Sequence, residues 1–285
     1  MTTPTAAPGP GVHTGSFGGY PFPADVVARI INLLISGAVF APSLTRQGTV
    51  RSTVAWPTAK PTGWAWLEEL QPFPVIDVDD DAYVVAVAKL GGIVDLSNEG
   101  FTDSSINMSA QLGDLLRDSL SRDLDMGLLT GGGPPAPVGV VGVAPEVQAA
   151  DLHAAVTVAR GQIGDQGGRA DTLAALPSVL AAADAQRSEG DTGVLVYPNG
   201  FAASLGLRAV GVPGITAPLV YDATRCFLVV RDDATVDASR DWHFDRDAYS
   251  IRVKARIAAA IPDVPKAIRK LTVAPAGSAT RTAKA

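Results

Sequence analysis

The sequence predicts an α+β protein in which one lobe is inserted into another. Three observations carry this expectation. Leu112, Leu116, Leu120, Leu124 and Leu128 recur every four residues, which draws one apolar stripe along a long helix. In "YSIRVKAR", Tyr249, Ile251, Val253 and Ala255 alternate with Ser250, Arg252, Lys254 and Arg256, the period-two pattern of a half-buried strand. Between these two elements, from Pro134 to Asp247, short helical patterns alternate with short β runs. The late strand has no obvious partner beside it, so it is expected to pair with the β-rich segment before the long helix. That gives a discontinuous domain, 83–134 plus 248–276, around an α/β lobe at 135–247.

The elements follow in order. The opening "MTTPTAAPGPGVHTG" has no basic start and no early apolar run, so no secretory signal is expected. Residues 1–43 read as an extended arm followed by a short buried helix in "VVARIINLLISGAVFA". Pro23 suits its first turn and Gly37 its stop, while Arg29, Asn32 and Gly37 interrupt it before it could span a membrane. Residues 44–82 hold "TVAWPTAKPTGWAWLEELQPFP" and the acidic flank "VIDVDDD". Pro57, Pro61, Pro72 and Pro74 deny this stretch regular core structure, yet it carries Trp56, Trp64 and Trp66, three of the four tryptophans. Tyr83–Leu96 is β-rich, with a break expected at Gly91–Gly92.

The long helix has Thr102, Asp103 and Ser104 as candidate caps, and Met108 and Leu115 beside its stripe. Asp118 and Arg122 are spaced for an ion pair, and Gly131–Gly133 end the helix. In the lobe, "DLHAAVTVARG" has Asp151 as a cap, with Leu152, Ala155, Val156 and Ala159 on one face. "LPSVLAAADAQRSEG" reads as a helix starting at Pro177, and "GVLVYP" and "CFLVV" read as buried strands. Residues 277–285 form a C-terminal tail.

Little of this points to catalysis. A net charge of −6 is opposite to the usual balance of a protein that grips nucleic acid through its phosphates. The lone Cys226 excludes an intrachain disulfide and a cysteine-based zinc site, and His13, His153 and His243 are scattered. "GDQGGR" has no strand before it and no tight helix after it, as a phosphate loop would require. "DVDDD" lacks the spacing of a calcium loop and reads as a solvated turn, and no G-x-S-x-G elbow occurs. No enzyme activity, cofactor or metal is expected. The tryptophans then have two readings: they bury against copies of the same chain, or they fold back on their own domain.

The order of features resembles the major capsid protein family of tailed bacteriophages, whose Hong Kong 97-like fold is shared with encapsulins. The resemblance covers about residues 25–275. The stretch from Arg51 through "VDLSNEGFTDSS" is similar to the family's extended loop, β return and turn into a spine helix. "RDLDMGLLTGGGPPAPVGVVG" is similar to the spine helix's end and its passage into the axial lobe, and "DWHFDRDAYSIRVKARIAAAIPDVPKAIRKL" to the return into the peripheral domain.

The resemblance implies a fold with a long spine helix, an extended β loop (44–82), a peripheral domain (83–134 and 248–276) and an inserted axial domain (135–247). It implies a structural protein, assembled in the host cytoplasm into pentamers and hexamers of an icosahedral shell enclosing double-stranded DNA. Separate scaffolding, portal and decoration proteins are possible partners; a membrane is not. The alternative is an encapsulin-type compartment around a cargo enzyme. The interface residues it suggests are Trp56, Lys60, Trp64, Trp66, Glu68 and Glu69 on the loop, and Arg252, Lys254 and Arg256 on the late strand. That basic strand face could sit in water, face enclosed DNA, or receive the acidic loop of the next subunit. Lys60 stands where some family members carry a cross-linking lysine. Asn32, Asn98, Asn107 and Asn199 are the only asparagines, and none follows the axial lobe where the family's acceptor lies, so no cross-link is expected.

Overall fold

The structure, a computed structural model, describes residues 37–58, 64–76, 81–97, 108–133, 135–187, 194–239 and 248–273. After a 3-10 turn at Ala41–Ser43 come β1 (Thr45–Gly48), β2 (Thr53–Pro57), β3 (Ala82–Ala86), β4 (Ala88–Ser97) and the long helix α1 (Met108–Thr130). The middle of the chain holds α2 (Val140–Val143), β5 (Glu146–Ala149), α3 (Leu152–Asp165), β6 (Thr172–Ala175), α4 (Pro177–Asp184), α5 (Phe201–Ser204), β7 (Arg208–Gly211) and β8 (Leu219–Tyr221). It closes with β9 (Phe227–Ser239), β10 (Ala248–Ala260), α6 (Val264–Ala267) and β11 (Ile268–Val273).

From Leu116 onward the leucine stripe of α1 does what its spacing implies; the Leu112 side chain lies outside the described part. Leu124 and Leu128 are buried, and Leu116 and Leu120 pack against Ile251 and Val253 of β10. Leu115 departs from the expectation: it is 68% exposed. Asp118 accepts from its neighbour Arg117 at 2.6 Å, where the spacing suggested Arg122, and Arg117 also reaches Asp114 at 3.5 Å. The helix stops at Gly131, whose φ of +66° suits glycine and whose N–H donates to the Gly127 carbonyl. The expected caps Thr102–Ser104, most of the early helix, most of the acidic flank and the C-terminal tail lie outside the described residues.

β10 pairs antiparallel with β4 from Ala248↔Ser97 to Ile257↔Ala88, the pairing that the alternation called for. Its other edge pairs antiparallel with β9, and β1 adds in parallel to β9, giving the order β1-β9-β10-β4. The break expected at Gly91–Gly92 is absent. β4 runs through both glycines without interruption, and the one-residue gap falls instead at Val87, between β3 and β4. Gly91 is needed for proximity: a Cβ there would stand 2.5 Å from the Val253 carbonyl oxygen.

The second sheet has the order β5-β11-β8-β6-β7, with α3 across β5 and β11. Asp151 caps α3 as expected, accepting from the Ala154 N–H at 2.7 Å, and Pro177 occupies the first turn of α4. "GDQGGR" is the stop of α3: Gly167 has φ +81° and the Gly168 N–H donates to the Ile163 carbonyl. "CFLVV" is buried, but it opens the long β9 rather than a strand of this sheet. "GVLVYP" is not a buried strand over its described part: Val194, Leu195 and Val196 are 59%, 40% and 45% exposed, and among the described residues a single bridge joins Leu195 to Arg187.

The sheets also cut the chain differently from the expected division at 247/248. β9, assigned to the inserted lobe, belongs to the sheet under α1, and β11, assigned to the outer domain, lies inside the second sheet. One core joins them. Leu128 of α1, Leu228 and Ile257 of the first sheet and Leu219, Tyr221 and Ile268 of the second share one buried cluster.

Candidate functional site

The Trp/Pro stretch is a projecting arm on a firm stem. β2 and β3 pair from Thr53↔Ala86 to Pro57↔Ala82, and the Thr58 N–H donates to the Asp81 carbonyl just beyond. One face of this ribbon is fixed to the body: Val54, Trp56, Tyr83 and Val85 pack on Val229, Ala258 and Ala260. Trp56 stacks on Phe227 with ring centres 5.9 Å apart and tilts against Tyr83 at 6.3 Å. Trp56 is therefore half-buried in its own subunit, as part of the stem.

Beyond the stem the environment inverts. Trp64 is 79% exposed and Trp66 fully so, and Leu70, Phe73 and Val75 are each more than four-fifths exposed. A turn at Glu68–Gln71, closed by Gln71 N–H donating to the Glu68 carbonyl, puts Leu70 at φ +72°, an unusual conformation for a leucine. Pro72 and Pro74 lack the donors a ladder would use, so this stretch does not pair as a strand. Five large apolar side chains in one short segment stand in water. Burying each would contribute roughly 1.5–3 kcal/mol, and exposed apolar patches of this kind are a general mark of interaction surfaces. Glu68 and Glu69 are exposed beside them. Lys60 lies outside the described residues.

The late basic strand is already partnered within the chain. Arg252 and Lys254 both reach Asp237 of β9, at 2.8 and 3.0 Å, and Arg256 reaches Asp232 at 3.5 Å. The hydrogen bonds from Arg252 and then Lys254 hold the Asp237 carboxyl below its ordinary range, against a small opposing effect of burial. The structure does not bring these cations to Glu68 or Glu69 within the subunit; among the described residues neither glutamate forms an ion pair. The acids of β9 mask its strand in the sequence: the carboxylates of "RDDATVD" sit on the exposed sheet face and break the apolar pattern.

No catalytic constellation accompanies these surfaces among the described residues. No three His, Cys, Asp or Glu side chains gather as metal ligands. His153 stacks on Tyr197 with centres 6.1 Å apart and meets Phe201 edge-on. Cys226 is buried, and burial pushes its thiol pKa well up, away from reactivity. No helix among the described residues is long and apolar enough to cross a membrane.

The sequence model of the phage capsid family matches residues 18–273. No curated protein matches the chain. Among solved structures, one from Mycobacterium phage Adephagia is 16% identical, with 93% of this chain and 97% of that one covered at a TM-score of 0.68. One from Mycobacterium phage Cain is 17% identical, covering 84% and 90%, with a TM-score of 0.67. The capsid of an empty GTA particle, computed with C5 symmetry, is 15% identical, covering 84% and 90%, with a TM-score of 0.65. At such identities the likeness is one of fold.

Proposed function

The chain belongs to the phage capsid family, and from that premise we propose that its copies close into pentamers and hexamers of an icosahedral shell around double-stranded phage DNA. The observation that carries the proposal is the exposed segment Trp64–Val75 on its paired stem: apolar side chains on a rigid mount with nothing of their own to cover. In a closed ring every subunit can offer this segment and receive a neighbour's. α1 with the four-stranded sheet then serves as the peripheral region, and the five-stranded sheet with its helices as the axial region. A closed shell retains DNA mechanically, so a subunit with net charge −6 suits the task. Scaffolding, portal and decoration proteins are further partners on this reading, and assembly takes place in the host cytoplasm.

Electron microscopy of the purified protein, before and after assembly in vivo, tests the proposal. Rings and shells containing nuclease-protected DNA are the expected result, with more than about 2,000 Å² buried per subunit. A protein that stays monomeric at high concentration, or shells that hold only a protein cargo, would overturn it.

A further inference from the structure

Several cations around the second sheet are matched to acids. Lys270 pairs with Glu146 at 3.4 Å, Lys266 with Asp263 at 3.0 Å and Arg225 with the buried Asp222 at 3.2 Å. Three arginines around the C-terminal half of α3 are not. Arg160 donates from Nη1 to the Leu205 carbonyl. Arg269 is 7% exposed and donates from Nε to Gln162 of α3 at 3.0 Å and from Nη1 to the Ile268 carbonyl at 2.8 Å. Arg169 is held by its main chain, whose N–H donates to Asp222 at 3.0 Å, and its guanidinium makes no hydrogen bond among the described residues. None of the three forms an ion pair there, and burial lowers the Arg269 pKa with no acid to oppose it.

Arg160 and Arg169 line one open cavity of about 360 Å³. Gly161 lines it too and keeps it open, since a Cβ there would meet nothing within 4 Å. Gly168 sets its other side: a Cβ there would run into the Lys266 carbonyl, so the chain passes tight against α6 and brings Arg169 to the rim. Asp165, the last residue of α3, does not line the cavity. The Gly167 and Gly168 N–H groups are spent on the Gly164 and Ile163 carbonyls, so "GDQGGR" offers an anion guanidinium groups rather than a backbone cradle. The same two bonds occupy carbonyls at the negative end of α3, whose partial charge is small beside two whole ones.

We propose that this cavity is a phosphate-binding site, in which Arg160 and Arg169 grip the phosphate oxygens and the buried Arg269 adds a positive potential from behind α3. The guanidinium fork fits a phosphate edge in bidentate fashion. A phosphate also brings more charge and more acceptor oxygens than a carboxylate, as three uncompensated cations require. The group arrives either as free phosphate or as the phosphodiester of a nucleic acid. The site does not rest on the capsid reading; only its occupation by enclosed DNA does.

Titration calorimetry of the unassembled subunit with inorganic phosphate, at an ionic strength fixed with chloride, tests the site. Wild type should bind saturably, and Arg160→Gln and Arg169→Gln should each weaken binding by at least about tenfold, the loss of one charge-assisted contact. Arg51→Gln combined with Arg122→Gln removes two exposed, unpaired charges elsewhere and should leave binding nearly unchanged. Gly161→Leu fills the cavity while favouring the helix, and should abolish binding with both arginines in place. No saturable binding in wild type overturns the proposal. So does an equal loss in the Arg51/Arg122 variant, which would reveal a diffuse field, or normal binding in Gly161→Leu, which would put the anion elsewhere. A short DNA duplex added as competitor identifies the source. Displacement of phosphate by the duplex, lost in Arg169→Gln, supports the site as a nucleic-acid contact; phosphate binding that the duplex leaves undisturbed supports it as a site for free phosphate. Neither result depends on whether shells form.

Discussion

At the residue scale, three tryptophans that look alike in the sequence divide into two kinds. Trp56 stacks on Phe227 and belongs to its own subunit, whereas Trp64 and Trp66 stand in solvent. Trp56→Ala should therefore destabilise the isolated subunit, by about 2–3 kcal/mol because the ring is only half-buried. Trp64→Ala and Trp66→Ala should leave it within about 0.5 kcal/mol, while weakening the subunit contact by roughly 2–4 kcal/mol. Urea unfolding of the unassembled protein, set beside shell yield by sedimentation, reads both quantities; the opposite ranking would mean the roles are reversed. Asp237 makes a second prediction. Its folded pKa is lowered by Arg252 and Lys254, so its contribution exists above the unfolded carboxyl value of about 3.9 and fades as pH falls through the lower folded value. The groups are largely exposed and screened, so Asp237→Asn should cost only about 0.2–1 kcal/mol near neutral pH. The gap between wild type and variant should narrow as pH falls below the unfolded carboxyl value and close once Asp237 is protonated in the folded state. A gap that persists there would mean that the side chain acts through packing rather than charge.

At the element scale, legibility followed periodicity. The α1 stripe, the β10 alternation, the Asp151 cap and the Pro177 start could be read because a single face or a single cap decided each of them. Two misreadings share a cause: local composition does not say what lies opposite. Gly91 looked like a break, but glycine there admits the β10 backbone, which no local pattern announces. "VLV" has the composition of core, yet among the described residues nothing covers it to the depth of a core strand. Asp125 could have been suspected, because an acid on the leucine-lined face of a helix must find donors somewhere, but the sequence does not say that they come from Val39, Phe40 and Ala41. The exposed run gives a direct check. Val194→Thr, Leu195→Gln and Val196→Thr should each change subunit stability by no more than about 0.5 kcal/mol. A buried strand would lose 2 kcal/mol or more on truncating such side chains, roughly, and that result would mean the run packs as a core strand after all.

At the scale of the whole molecule, the two sheets cannot be treated as separable lobes. The chain enters the second sheet after α1, returns to the first with β9 and β10, and crosses back to place β11 between β5 and β8. β5 has only β11 as a partner, and β8 pairs with β11 on one edge and β6 on the other. A fragment of residues 135–225 would thus lack an interior strand of its own sheet, leaving β5 unpaired and Leu219 and Tyr221 without the Ile268 side of their cluster. Unpaired strands and an opened core remove ladder hydrogen bonds and buried area together, and a domain keeps only about 5–15 kcal/mol in hand. The fragment should therefore show no cooperative unfolding transition by circular dichroism. The same fragment with residues 262–273 joined through a flexible linker should recover one, because β11 and the α6 turn before it restore the missing interior. The full subunit, with one core running through both sheets, should unfold in a single transition seen alike by far-ultraviolet dichroism and tryptophan fluorescence. A shorter fragment that folds cooperatively on its own would show that the shared core is dispensable, and that the second sheet is an autonomous insertion.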